Sequence, residues 1–597
     1  MERYLPTGNE RVSLPQLNQA TAGIENLTFL SMQLKGMVEI RGSRDLPLFA
    51  PFVELDGVQT DLTDLHWRRE CHWIPTLTAQ AGGYTFSMTV LAPVKERGFA
   101  IRLSIAGDAA AALTWGLHGC WDSTWHAVNE DKPLDGQVFC YASHWNHSLI
   151  FDYRAGGPVF SFAPMSDAPC QASFDLQAGR VTYCLAREET LAPGQTCQLT
   201  FYWGLGFEEV AAATSAKEML RRGWDWEYRR TADWLQARMT VFPAPQLTAV
   251  YNTNLFFCLF YATGITLDTE ELVCTTSRST RYYVSAAYWD RDTLLWAFPA
   301  ILEVDPVLAQ EILAYVFTRQ RRNFGVHSRY IDGTVLEPGF ELDELMAPLL
   351  ALEAYVDKTG DREMLGDSAV LAGIRQILAA LEEVRHPDVP LYATFLQPTD
   401  DEIVHPHLTY DNVLVWKGLL ALARLLPTQY GYLQPLAKAV KAAIYSHCVV
   451  HDGDGNAVFA WSVDLEGHHN IYDEPPGSLQ LLPYYGFCPQ DDAVWRNTMA
   501  LIRAPSYAYS FASSPIAEIG CAHAPYPWLL SLCNSLLCGH HAQAFQELSF
   551  MEMDNGLACE SVDPITGQCA TGAAFATCAG FLCHGMKVAQ AQMQRQN

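Results

Sequence analysis

The hydrophobic period changes partway along this chain, and that change most limits what it can fold into. In residues 1–210 the apolar residues fall in short alternating runs: Thr28 to Ile40, Tyr84 to Leu91, Phe99 to Ile105, Leu113 to Leu117, Leu149 to Tyr153, Val181 to Ala186 and Cys197 to Trp203. Turn formers such as Ala155-Gly156-Gly157-Pro158 and Ala192-Pro193-Gly194 separate them. A period of two sends alternate side chains to opposite faces of a strand, so this segment is expected to form an antiparallel β-sandwich. Residues 211–245 read as a charged helical linker with Trp224, Trp226 and Trp234, closing at Pro243-Ala244-Pro245. Over residues 246–597 apolar residues recur three and four apart in Asp305 to Gln320, Leu342 to Tyr355, Leu371 to Val384, Tyr410 to Leu426, Tyr432 to His447, Ala493 to Ile502, Trp528 to Gly539 and Ala570 to Gly585. No fixed repeat period suggests a solenoid, so a barrel or toroid of helix pairs is predicted.

Composition narrows the function. A net charge of −27 disfavours nucleic acid or an anionic membrane as partner, since both are polyanions. No apolar stretch approaches the roughly 20 residues of a membrane span, and no leader-like start is seen. The 17 cysteines show no CxxC spacing, and Cys533, Cys538, Cys578 and Cys583 fall inside apolar helical patterns. They read as reduced, buried thiols of a cytoplasmic protein. No zinc pattern, P-loop, dinucleotide fingerprint or nucleophile elbow occurs, so no metal or cofactor is expected. His451-Asp452-Gly453-Asp454-Gly455-Asn456 has Ala457 and Val463 where a calcium loop needs Gly and an acid, and is read as a tight hairpin turn.

The chemistry lies in polar loops between the helices. Asp400-Asp401, within Gln397-Pro398-Thr399-Asp400-Asp401-Glu402, and Glu560, within Cys559-Glu560-Ser561-Val562-Asp563-Pro564, are distant acidic loops. Two carboxyls across one cleft, one protonated and one ionised, are what glycoside hydrolysis needs. Tyr288-Trp289-Asp290-Arg291-Asp292-Thr293 offers a fork of donors, flanking acids and a stacking ring suited to sugar hydroxyls, although a helix cap with a structural ion pair would look the same. Glu341-Leu342-Asp343-Glu344-Leu345 and Thr409-Tyr410-Asp411-Asn412 are acidic helix starts that suit either a sugar site or the positive end of a helix. Tyr472-Asp473-Glu474-Pro475 and Cys521-Ala522-His523-Ala524-Pro525-Tyr526-Pro527-Trp528 are further polar-aromatic loops.

Taken in order, these loops resemble glycoside hydrolase family 125, the metal-independent exo-α-mannosidases with an (α/α)6 barrel. The motifs are Trp289-Asp290-Arg291-Asp292-Thr293, Phe340-Glu341-Leu342-Asp343-Glu344-Leu345, Leu396-Gln397-Pro398-Thr399-Asp400-Asp401, Pro476-Gly477-Ser478-Leu479 with Leu482-Pro483-Tyr484, Ile519-Gly520 with His523 and Trp528, and Glu560-Ser561 with Asp563-Pro564. Cys559 and Val562 stand where the family has His and Phe. The run Glu560 to Gly567 is also similar to the base loop of family 15 glucoamylase-type enzymes, which carry an N-terminal β-sandwich. The resemblance implies a multidomain fold, an N-terminal antiparallel β-sandwich followed by an (α/α)6 barrel. It implies an inverting exo-acting α-glycoside hydrolase acting on an oligosaccharide or glycoconjugate, with mannose favoured and an α-glucoside as the alternative. One of Asp400 and Asp401 is the acid, Asp400 favoured by position, and Glu560 is the base. Trp289, Asp290, Arg291, Asp292, Asp343, Glu344, Tyr410, His523 and Trp528 are assigned to the sugar. An inactive sugar-binding protein would not need both carboxyls, and a phosphorylase would need a basic phosphate pocket where these loops are acidic. A homo-oligomer is left open.

Overall fold

The computed structural model describes residues 3–596. The chain divides into two compact units. The first comprises residues 1–240, 263–271 and 278–286, and the second residues 241–262, 272–277 and 287–597.

The first unit is antiparallel β-structure. An eight-stranded sheet, a five-stranded sheet and a six-stranded sheet share one apolar core. In the central strand Gly98–Ala106 of the largest sheet, Phe99, Ile101, Leu103 and Ile105 are all buried, while Arg102 and Ser104 between them are partly exposed. That strand pairs with Thr196–Gly206, Leu103 opposite Leu199. Trp203 fills the middle of the core, stacked on Phe162 at 4.9 Å and edge-on to Phe49 at 4.8 Å, a geometry that adds about 0.5–1.5 kcal/mol per pair beyond burial. Helices α1 (Glu209–Arg222) and α2 (Trp224–Gln236) belong to this unit. The first lies so close to the sheet that a Cβ at Gly204 would sit 2.1 Å from the Ala212 carbonyl oxygen.

The second unit is helical. It runs α3 (Pro245–Tyr261), a π-helical segment Arg291–Ala297 continuing into α4 (Phe298–Val304), α5 (Pro306–Thr318), α6 (Leu342–Thr359), α7 (Ser368–Glu383), α8 (Thr409–Leu425), the single turn α9 (Pro427–Tyr430), α10 (Leu433–His447), α11 (Ala493–Ile502), α12 (Leu529–Leu537), α13 (His541–Leu548) and α14 (Ala576–Gln596). Burial sorts them into two rings. On α7 only Val370, Gly373, Ile374, Ile377 and Leu381 are buried, one stripe of an outer helix. On α12 all nine residues are buried, and α6 and α8 are covered on nearly every side, as inner helices must be. The inner elements pack in sequence: the π segment on α6, α6 on α8, α12 on α14, and α14 back on the π segment. Between α8 and α12 the inner position is filled by two 3-10 turns, Pro475–Gly477 and Leu479–Leu481, because Pro475-Pro476-Gly477 cannot continue a helix. Tyr485 beyond them meets the Tyr410 hydroxyl of α8 at 3.1 Å. Among the described residues six outer–inner pairs close the (α/α)6 barrel.

Local signals set the helix ends. Asp305, Asp367 and Asp492 cap α5, α7 and α11 through their carboxylates. Gly360, at φ +72°, ends α6 in the left-handed conformation. Residues 449–459 form the expected hairpin, its turn held by Asp452 accepting from Asp454 and Asn456 N–H. Cys533, Cys538, Cys578 and Cys583 are buried as free thiols. Among the described residues no helix is long and apolar enough to cross a membrane.

Candidate active site

Each inner element begins at the same end of the barrel, so the six loops entering them come together there. The loop before the π segment and the start of α6 build an ion-pair cluster. Arg291 is almost fully buried and reaches three carboxylates: Glu341 at 2.5 Å, Asp400 at 2.7 Å and Asp343 at 3.3 Å. Of the two acids flanking this arginine only Asp292 approaches it, at 3.8 Å, and Asp290 instead pairs with Arg329. Glu344 accepts the Asp290 and Arg291 backbone N–H groups, pinning the loop in place. The π-helical turn, one residue wider than an α-turn, is a common mark of functional sites.

Charge and burial compete within this cluster. Burial pushes Asp292 up to about 7, against the pull of Arg291 and the Thr577 hydroxyl. Burial also raises Asp343, to about 6. Glu341 ends below the usual carboxylate range, because Arg291 and His327 outweigh its burial. His327 ends above the usual histidine range, since its hydrogen bond to Glu341 and the Asp400 charge outweigh the burial that opposes its charged form. His327, Glu341 and Asp400 could hold a metal ion by proximity, their ligand atoms within 4.8 Å of one another. Arg291 already neutralises two of the three, so the donor set is committed to an ion pair.

The Asp doublet sits on a tight turn. Asp400 N–H donates to the Gln397 carbonyl, and Gln397 N–H to the Asp401 carbonyl, with Asp400 at φ +70°. A non-glycine residue held there is strained, a state retained where surroundings over-determine it. The two carboxyls take different partners. Asp400 joins the Arg291 cluster and, although 38% of its side chain is exposed, burial among these groups raises its pKa, with Arg291 opposing. Asp401 instead faces His523, Oδ2 to Nδ1 at 3.2 Å.

Glu560 comes from a hairpin. Ser561–Val562 pairs with Cys569–Thr571, and Asp563 closes the turn by accepting from Ile565 N–H and from the Thr566 N–H and hydroxyl. The expected helix from Ala570 therefore starts later, at Ala576, because this strand takes its first residues. Glu560 is fixed on both sides, its N–H donating to the Gly572 carbonyl and its carbonyl accepting from Leu529 N–H. Its carboxylate, 4% exposed, lies 3.9 Å from His523 Nε2. The imidazole therefore reaches from Asp401 to Glu560 and keeps their nearest oxygens within about 9 Å of each other, a range that covers the separation of a retaining pair and most of that of an inverting one.

The other expected residues are all buried. Trp289 is buried edge-on to His327, and Trp528 edge-on to His523. Asp290, Glu344 and Tyr410 have no exposed surface; Asp290 and Glu344 pair with Arg329, and Tyr410 meets Tyr485. Glu341, His327, Arg329 and Glu474 also belong to the site although the sequence did not select them. Glu341 sits inside a quoted motif, but His327 and Arg329 lie on a short strand, Val326–Arg329, that carries no motif.

Residues 383–585 match the model of a family described as metal-independent alpha-mannosidase (GH125). That span includes Asp400, Asp401, Glu474, His523 and Glu560. Among solved structures, a metal-independent alpha mannosidase from Streptococcus pneumoniae, in a non-productive complex with alpha-1,6-mannobiose, is similar with TM-score 0.51 and 18% identity, over 58% of this chain and 94% of that one. A bacterial glucoamylase complexed with acarbose is similar with TM-score 0.65 and 11% identity, over 99% and 95%. A putative kojibiose phosphorylase from human microbiome reaches 0.63 and 10%, over 97% and 86%. These likenesses establish the fold. No curated protein matches the sequence.

Proposed function

We propose that this chain is a glycoside hydrolase, an inverting, exo-acting enzyme that removes a terminal α-linked hexose from an oligosaccharide or glycoconjugate, with mannose the favoured sugar. The observation that carries the reading is the convergence of Asp401 and Glu560 on the two nitrogens of one imidazole, within the span that matches the α-mannosidase model. Asp401 donates its proton to the glycosidic oxygen as the bond to the anomeric carbon breaks. Glu560 takes a proton from the water that attacks that carbon from the opposite face, and the released sugar is the β-anomer. Sequence position favours Asp400 as the donor, but Asp400 pairs with Arg291 while Asp401 faces His523, so the geometry favours Asp401. Asp400, Arg291, Asp292 and Asp343 are assigned to the sugar hydroxyls, with Trp289, Trp528 and His523 as walls. Asp290, Glu344 and Tyr410 support these groups through their partners: Asp290 through Arg329, Glu344 through the Asp290 and Arg291 N–H groups, and Tyr410 through Tyr485. A second reading, an α-glucoside as substrate, is favoured by the likeness to the glucoamylase over almost the whole chain. A cytoplasmic setting is supported by the free cysteines.

A proton NMR time course on α-linked mannose and glucose disaccharides tests this. The β-anomer is expected first, from mannosides faster than from glucosides. Initial α-anomer would mean double displacement and would remove the assigned roles, and no hydrolysis of any α-linked disaccharide would end the hydrolase reading.

A further inference from the structure

Glu474 is a fully buried carboxyl that the scheme above leaves unused. It enters the site from the loop before the Pro475–Gly477 turn. One oxygen accepts from Gln397 Nε2 at 2.7 Å and the Tyr472 hydroxyl at 3.1 Å. The other meets the Thr399 hydroxyl at 2.7 Å, and that same hydroxyl lies 3.4 Å from Asp401 Oδ2. Glu474 thus grips the Asp-doublet turn at Gln397 and Thr399, and reaches Asp401 through one oxygen atom.

Resting on the hydrolase reading, we propose that Glu474 is the positioning residue for the acid: Glu474 and Asp401 hold one proton between them through the Thr399 hydroxyl, which keeps Asp401 protonated until the glycosidic oxygen takes the proton. The hydroxyl has a single hydrogen, so it donates to one carboxyl while accepting from the other. With the proton on Glu474, Glu474 donates to Thr399 Oγ1 and Thr399 donates to Asp401. Transfer of both protons along this line reverses the arrangement, protonating Asp401 and ionising Glu474 with no net change in charge. The charged neighbours favour retention of that proton. Burial pushes Glu474 up to about 8, opposed by the Thr399 and Tyr472 hydrogen bonds and reinforced by the charges of Asp401 and Asp473. Tyr472, Tyr507 and Cys521 are the other titratable groups facing it, and their ionisation is in turn opposed by Glu474. Asp473 is occupied by the Ser478 hydroxyl and Leu479 N–H, and His523 faces Asp401 from the far side.

The test is Glu474→Gln, which keeps the shape, with the amide oxygen accepting from Gln397 and Tyr472 and the NH2 donating to Thr399, but removes both the like charge and the proton. Without them the Asp401 carboxylate no longer faces a like charge or shares a proton. An acid catalyst fails once ionised, so the basic limb of the kcat/KM profile on an α-linked disaccharide is expected to move down by about one pH unit, roughly a tenfold loss at pH 8 with little change at pH 5. With the matching α-glycosyl fluoride, whose leaving group needs no proton, the profile is expected to keep its wild-type shape. Thr399→Val is expected to reproduce the shift. An unmoved limb, or an equal loss at every pH on both substrates, would overturn the proposal. A wild type inactive on every α-glycoside would end the hydrolase reading alone. The shared proton would then be read from the infrared difference between wild type and Glu474→Gln at pH 7, where it requires a protonated-carboxyl band in the wild type that the variant lacks, and absence of that band would overturn it.

Discussion

Replacing Glu560 by Gln is expected to lower kcat on an α-linked disaccharide by roughly 10³-fold, within the 10²–10⁴ range of general acid–base catalysis, while changing KM little. The amide keeps the volume and the backbone anchors to Gly572 and Leu529, so the fold is preserved while the proton acceptor is lost. Azide is the decisive addition. A small anion needs no base, and in the place of the attacking water it is expected to restore turnover and yield a glycosyl azide of inverted configuration. Asp401→Asn is expected to show the complementary pattern, a loss of similar size on the disaccharide that largely disappears on the glycosyl fluoride. Asp400→Asn, which weakens the sugar grip and the contact with Arg291, is expected to act through KM as well as kcat on both substrates. A Glu560→Gln enzyme within tenfold of wild type would remove the base assignment, and an Asp400 variant behaving as Asp401 is expected to would return the acid role to Asp400.

The sequence made the two fold classes legible because burial there follows a strict period. Tyr84–Leu91 lies where its alternation predicts, and Ala493–Ile502 where its three-and-four spacing predicts. Sequence period and burial do not always coincide. The strand Gln171–Gln177 does alternate, with Ala172, Phe174 and Leu176 between polar residues, but it is exposed at every residue, so this alternation marks no buried face. The π-helical turn at Arg291 was hidden, since one extra residue per turn barely alters a short apolar run. At the site, the sequence marked the right loops but not their partners. Arg291 passes over its neighbour Asp290 to reach Glu341 and Asp400, a choice made by tertiary contact. The direction of each member of the Asp doublet depends on the left-handed backbone at Asp400, which no residue type at that position announces. Glu474 was visible only as part of one more polar loop, because its meaning lies in the Thr399 hydroxyl 75 positions earlier.

Arg291→Met is expected to be the most destabilising single change in the second unit. Its two terminal nitrogens neutralise Glu341 and Asp400 at 2.5 and 2.7 Å, with Asp343 at 3.3 Å, in a buried setting. Removing one partner of a buried ion pair typically costs about 3–5 kcal/mol, because the charges left behind are neither paired nor hydrated. Lysine does not substitute: a single ammonium cannot serve Glu341 and Asp400 from two directions, so Arg291→Lys is expected to lose activity and part of the stability. Since two units need not unfold together, the measurement is calorimetry at a fixed scan rate, following the transition that shifts. The cause is then separable. If the penalty is uncompensated charge, adding Glu341→Gln to Arg291→Met is expected to recover a substantial part of the lost stability, although Glu341→Gln alone destabilises. Activity is expected to stay absent in the double variant, because the fork that fixes Asp400 is gone. Purely additive losses would mean that Arg291 stabilises by packing, through its stem and its position 5.6 Å over the Trp296 ring, and would remove charge neutralisation as the reason this arginine is buried.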